Sequence, residues 1–231
     1  MKGDFHVRFC ERLRLKYFGL FDQLVNSPTA AILDRSLAAS NPLFYLNLIL
    51  SDMAIKNQVL DMTPVGMKFT VLQTGSDTSG KSLDLHWELL PKCNMKDPLL
   101  HTHPHAIETY EVLQGEMEFF VKDKWLLAKK GDKLIVPQGV THAFRNPTEN
   151  VVTVYNTHQP ALRMENYFED VCKVLDKLTD NRTKDFRMNL KSMLYMSVLM
   201  NNYRNEIIAK NPPDVAIKLL GFISKLIGIN Y

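Results

Sequence analysis

The sequence predicts a mainly β fold, a barrel of two strand–turn–strand halves with α-helices flanking it at both ends. Three observations predict it. Between His101 and Asn146 short runs of alternating residues are broken by Gly115 and Gly131, as in strands separated by turns. Before about residue 60, apolar residues recur at steps of three and four, the period of helices. After Pro160 that period returns. The 231 residues then divide into an N-terminal helical segment 1–60, a barrel 61–162 and a C-terminal helical extension 163–231.

In chain order, Phe9, Leu13, Tyr17, Leu20 and Leu24 make an amphipathic helix between about Val7 and Val25. A second helix is expected from Ser27-Pro28, an N-cap followed by proline, to about Ala39. A third runs from Asn41-Pro42 to about Gln58. These three could form a packing layer, a dimerisation arm or an interaction module. Strands begin near Lys68 with Phe69, Val71 and Leu72, followed by the turn-rich stretch Gly75 to Gly80. Leu83, Leu85, Trp87 and Leu89 alternate with Asp84, His86 and Glu88, giving one core face and one polar face. The polar face either meets solvent or lines a pocket. Pro91 to Pro98 reads as a loop.

Farther on, Met117, Phe119 and Val121 alternate with Glu116, Glu118 and Phe120, and Asp123-Lys124 marks a hairpin turn before Trp125. Val151 to Thr157 closes the barrel with Val152, Val154 and Asn156 on one face, leaving His158 at the rim. The C-terminal extension shows one helical stripe at Met164, Phe168, Val171, Leu175 and Leu178. A second starts at Phe186, Leu190, Leu194 and Val198 and ends at Asn211, before Pro212-Pro213. A last helix runs from about Pro213 to Gly228. Met188, Met193, Met196 and Met200 suit either core packing or an adaptable surface.

The chemistry concentrates between the barrel's two halves. The two-residue period of a strand puts His101 and His103 on one face. A nitrogen of His142 and an oxygen of Glu108 complete a set of three histidines and one carboxylate. Such a set suits a divalent transition metal, Fe, Mn, Ni, Cu or Zn, with positions left for water or substrate. Glu108 has the opposite parity to His103, so Pro104 is expected to break the strand. Beyond the break Glu108, Tyr110 and Val112 share a face, as do His142, Phe144 and Asn146. Glu108 and Tyr110 are the candidate catalytic residues, one to shuttle a proton and the other to orient substrate.

The spacing H-x-H-x4-E-x6-G at His101, His103, Glu108 and Gly115, then G-x5-P-x-G-x2-H-x3-N at Gly131, Pro137, Gly139, His142 and Asn146, resembles the two signature motifs of the cupin superfamily. Met95 stands where the first motif usually begins with glycine. A looser likeness, to bacterial single-cupin proteins with a helical tail, runs from about Asp61 to Tyr231. The resemblance implies a double-stranded β-helix, a jelly-roll barrel, with His101, His103, Glu108 and His142 as metal ligands. It does not imply one reaction. The first expectation is a metal-dependent dioxygenase or oxidoreductase, because a redox metal held by three His and one Glu keeps one or two open positions; the inner positions Val112, Met117, Phe119, Phe144 and Val152 suit a small hydrophobic or aromatic molecule as its substrate. The alternatives are a non-catalytic module binding a small molecule and a metal-assisted sugar isomerase.

Composition sets the remaining bounds. With 45% hydrophobic and 23% charged residues the chain reads as an ordinary globular protein. A net charge of +3 without a basic cluster interleaved with aromatics gives no sign of nucleic-acid binding. Cys10, Cys93 and Cys172, odd in number and scattered, argue for a reducing compartment. No secretory signal is read at the start, and the longest apolar run, Leu43 to Leu50, is too short to span a bilayer. A cytoplasmic homodimer without membrane contact is expected.

Overall fold

The computed structural model describes residues 55–96, 98–182 and 186–231. The helices expected before residue 55 lie outside them. Ile55 to Gln58, read above as the end of the third helix, instead form a turn whose Asn57 N–H and Gln58 carbonyl bond to Val71. The first strand follows at once.

Two sheets make the barrel. The larger contains β1 (Val59–Met62), β2 (Met67–Gln73), β3 (Leu83–Leu89), β5 (Ile107–Gln114), β8 (Lys133–Val136) and β10 (Val152–Gln159), in the order β1-β2-β3-β10-β5-β8. The smaller contains β4 (His101–Thr102), β6 (Glu116–Val121), β7 (Lys124–Lys129), β9 (His142–Arg145) and β11 (Ile208–Ala209), in the order β11-β4-β9-β6-β7. Every ladder is antiparallel. Strand β1 was not foreseen: only Leu60 and Met62 of its four residues are buried, too short an alternation to read.

The alternation seen in the sequence is the alternation of the pleat. Leu83, Leu85, Trp87 and Leu89 are buried, while Asp84, His86 and Glu88 are on the outer, half-exposed face, so His86 and Glu88 point away from the barrel core. On β5, Glu108, Tyr110 and Val112 are buried. Trp87 stacks on Phe69 at 4.3 Å and meets Tyr110 and Phe144 at 5.5 and 5.0 Å, forming the aromatic centre of the core. The two halves turn tightly at Gly115, whose φ of +83° favours glycine and where a Cβ would come 3.1 Å from Val152 Cγ2. The hairpin between β6 and β7 turns on Lys122 and Asp123, both at positive φ, the conformation that matches strand twist.

Three helices follow. In α1 (Met164–Leu178) the residues Met164, Phe168, Val171 and Leu175 are buried as the stripe required, joined by Tyr167 and Val174. Helix α2 (Leu190–Asn202) starts on a capping box, Asn189 and Ser192 exchanging side-chain to backbone bonds. It buries Val198, Leu199 and Met200, while Leu190 is exposed. The sequence reading carried this helix to Asn211, and the structure ends it at Asn202. Paired asparagines are weak helix formers, Tyr203 bonds Asp170 at 2.6 Å, and Ile208 and Ala209 leave the helix to pair with β4 opposite Thr102 and His101. Helix α3 (Asp214–Leu226) begins after Pro213 and packs on α2 through Gly221, where a Cβ would collide with Asn201 Nδ2 and come 3.0 Å from the Ser197 carbonyl. No described helix is long and apolar enough to cross a membrane.

Candidate metal centre

Three strands, β4, β5 and β9, and the bend that follows β4 deliver the candidate ligands. His101 lies on β4 directly opposite His142 on β9, and Glu108 on β5 lies opposite His158 on β10. The chain bends at Pro104 and His105, as the parity change demanded, so that His103 and Glu108 face the same point. His101, His103, Glu108 and His142 are all buried, and each offers a ligand atom within 4.8 Å of the others. These are the four residues singled out in the sequence, and together they can hold a metal ion.

The hydrogen bonds around the three histidines test that fit. His101 Nδ1 lies 2.9 Å from the Leu99 carbonyl, His103 Nδ1 2.7 Å from the Glu206 carbonyl and His142 Nδ1 3.0 Å from the Val140 carbonyl. A carbonyl only accepts, so each Nδ1 carries the proton and donates it. Each Nε2 of a neutral ring is then a bare lone pair, the form that ligates metals. His142 Nε2 lies 2.8 Å and His103 Nε2 3.1 Å from Glu108 Oε2. Lone pairs and a carboxylate converging in a buried site leave a cluster of acceptors that a cation satisfies.

The charges respond accordingly. Burial, followed by the neighbouring His142 and His103, holds His101 well below the ordinary histidine value. Burial works against the Glu108 carboxylate, but His158 and His103 outweigh it and keep its pKa well below the usual range. For His142, burial again opposes the charged form, and the bond to Glu108 raises its pKa. His158 is lowered by burial despite Glu108.

Tyr110 is 2% exposed and packs between Trp87 and Phe119, at 5.5 and 4.7 Å, without lining the cavity beside the cluster. Burial first, then the Glu108 carboxylate, pushes its hydroxyl well above the ordinary phenol value. His158 corrects the reading that placed it at the rim. It is 1% exposed, with Nε2 3.2 Å from Glu108 Oε1. The same oxygen accepts from Asn156 Nδ2 at 2.9 Å. Extending the two-residue period of β10 from Val152, Val154 and Asn156 by one step would have placed His158 inside. Nothing local signalled the Glu206 carbonyl, which reaches His103 across 103 positions of sequence.

A cavity of about 110 Å³ opens beside the cluster. His101, His103, Glu108 and His158 form its polar end, while its walls are apolar: Phe69, Trp87, Phe144, Met164 and Phe168 among others. Helix α1 and Ile207 cover it, so the C-terminal extension supplies part of the wall.

Residues 86–158 match the Cupin domain family. A conserved protein with a double-stranded β-helix domain from Klebsiella pneumoniae is 24% identical, over 36% of this chain and 70% of its own, with a TM-score of 0.33. A predicted oxalate decarboxylase from Thermotoga maritima is 22% identical, over 41% and 80%, at 0.38. An RmlC-like cupin from Shewanella frigidimarina is 19% identical, over 49% and 94%, at 0.40. No curated protein matches the chain. The segment from His86 to His158, which carries both motifs and the buried cluster, is a cupin domain.

Proposed function

We propose that the protein is a metal-dependent enzyme of the dioxygenase or oxidoreductase kind, acting on a small hydrophobic or aromatic molecule. One observation carries this reading: three histidines, each with Nδ1 tied to a backbone carbonyl, present Nε2 beside a carboxylate at the end of an apolar cavity. His101, His103, Glu108 and His142 would hold the ion, and a redox-active divalent metal bound there supplies Lewis acidity and electron transfer. The apolar wall selects the substrate. At about 110 Å³ the cavity is of the order of one that accepts benzene. It carries none of the polar rows that a sugar isomerase requires. Glu108 would take up and return a proton through Oε2 when that oxygen leaves the metal. Tyr110, the second candidate, stands in the aromatic core outside the cavity and would influence substrate only through its neighbour Glu108.

The exposed apolar stripe Val215, Leu219, Phe222 and Leu226 on α3 supports a homodimer. The free thiols of Cys93 and Cys172 support a reducing, cytoplasmic setting. The deciding experiment is the metal content of purified protein by elemental mass spectrometry, beside a His101→Ala, His142→Ala double variant. Near-stoichiometric Fe, Mn, Ni or Cu, lost in the variant, is expected. A folded wild type that takes up no metal on reconstitution sinks the enzyme reading and leaves a non-catalytic binding module.

A further inference from the structure

The four neighbours of Glu108 divide between its two oxygens. Oε2 faces His103 Nε2 and His142 Nε2 at 3.1 and 2.8 Å. Oε1 faces Asn156 Nδ2 and His158 Nε2 at 2.9 and 3.2 Å. Both of the latter residues stand on one face of β10, His158 opposite Glu108 and Asn156 opposite Tyr110, so the ladder register aims them at the same oxygen. The amide of Asn156 is fixed the right way round, because Nδ2 also donates to the Thr109 carbonyl at 3.1 Å. Asn156 is 0% and His158 1% exposed, so bulk water does not compete for these bonds. A carboxylate oxygen has two lone-pair sites: Asn156 Nδ2 donates to one, and His158, whose buried Nδ1 meets no partner among the described residues, directs its Nε2 proton at the other.

Resting on the metal-centre reading above, we infer that Asn156 and His158 are positioning residues that reserve Oε1, so that Glu108 offers an ion one oxygen only, Oε2. A carboxylate with both oxygens free can close on a metal with two. Held from behind by two donors, it leaves that further position to a small molecule from the apolar cavity. The pair therefore acts on coordination number and openness.

The test uses full-length wild type, Asn156→Ala, His158→Phe and the conservative His158→Gln, each loaded with Co(II). The readouts are the visible ligand-field spectrum, which follows coordination number, and Zn(II) affinity by competition with a chromophoric chelator. Thermal unfolding without metal confirms that each variant folds. Asn156→Ala and His158→Phe are expected to change the Co(II) bands and weaken Zn(II) binding by about 10- to 100-fold. His158→Gln, which keeps an N–H donor, is expected to restore both. Folded Asn156→Ala and His158→Phe proteins with the wild-type spectrum and affinity overturn the inference alone. A wild type that binds neither ion overturns the metal-centre reading and the inference with it.

Discussion

Replacing Glu108 with glutamine is expected to stabilise the metal-free protein while abolishing its metal binding. With its amide oxygen toward Asn156 and His158, a glutamine keeps an acceptor where wild type has Oε1. Its NH2 group then replaces Oε2 and donates to the bare Nε2 atoms of His103 and His142, now 3.1 and 2.8 Å from that oxygen. Two buried acceptors gain a donor at about 1 kcal/mol each, and a buried charge disappears, so the gain is about 1–3 kcal/mol. For a chain of this size each kcal/mol raises Tm by roughly 2–4 °C.

The pH dependence has a definite sign. The His142 pKa is raised in the folded wild type by Glu108. That pairing stabilises fully below the unfolded histidine value of about 6.5 and is lost as pH rises through the folded value. The advantage of Glu108→Gln should therefore be small near pH 6 and grow toward pH 8.5. Thermal unfolding of both proteins in chelator across that range provides the assay. A Glu108→Gln protein less stable than wild type at pH 8.5 would refute the tautomer assignment on which the centre is built.

Three further outcomes are expected. Lys210→Pro removes the N–H that bonds the Leu100 carbonyl at 2.7 Å and should loosen the Glu206 carbonyl from His103; chelator competition should show Zn(II) binding weakened about 10- to 100-fold. Gly221→Leu forces a side chain against Asn201 and the Ser197 carbonyl, and urea unfolding should show a loss of about 1–3 kcal/mol. Asp214, held at about 2 by Arg204 first and then Lys218, supports the start of α3 above the unfolded value of 3.8 and loses that contribution as pH falls toward 2. Circular dichroism should show Arg204→Ala shedding helix at a higher pH than wild type.

Much of the site was legible in the sequence because its ligands come from strands, where parity decides direction. The pair His101 and His103 follows from a two-residue period and the offset of Glu108 from a break at Pro104, while His142 enters through the motif spacing that resembles cupins. The strands from Leu83 to Leu89 and from Ile107 to Gln114 likewise announce their buried faces. What escaped depended on partners far away in sequence. Strand β1 has four residues and owes its existence to β2. Residues 203–211 carry a helix-compatible spacing, yet the unpaired edge of β4 draws Ile208 and Ala209 into the sheet. His158 was misplaced because the reading ended β10 at Thr157, two residues short of its end at Gln159.

The bond from His103 to the Glu206 carbonyl also bears on the order in which the molecule is built. All four candidate ligands are translated before the carbonyl that orients one of them, and the two are joined by a contact of high sequence separation. Making such a contact costs the entropy of closing the intervening chain. Until residues 203–209 are docked, His103 lacks the carbonyl that fixes its tautomer. The C-terminal strand makes maturation of the centre an act of closure, in which the last part of the fold to dock completes the chemistry of the first.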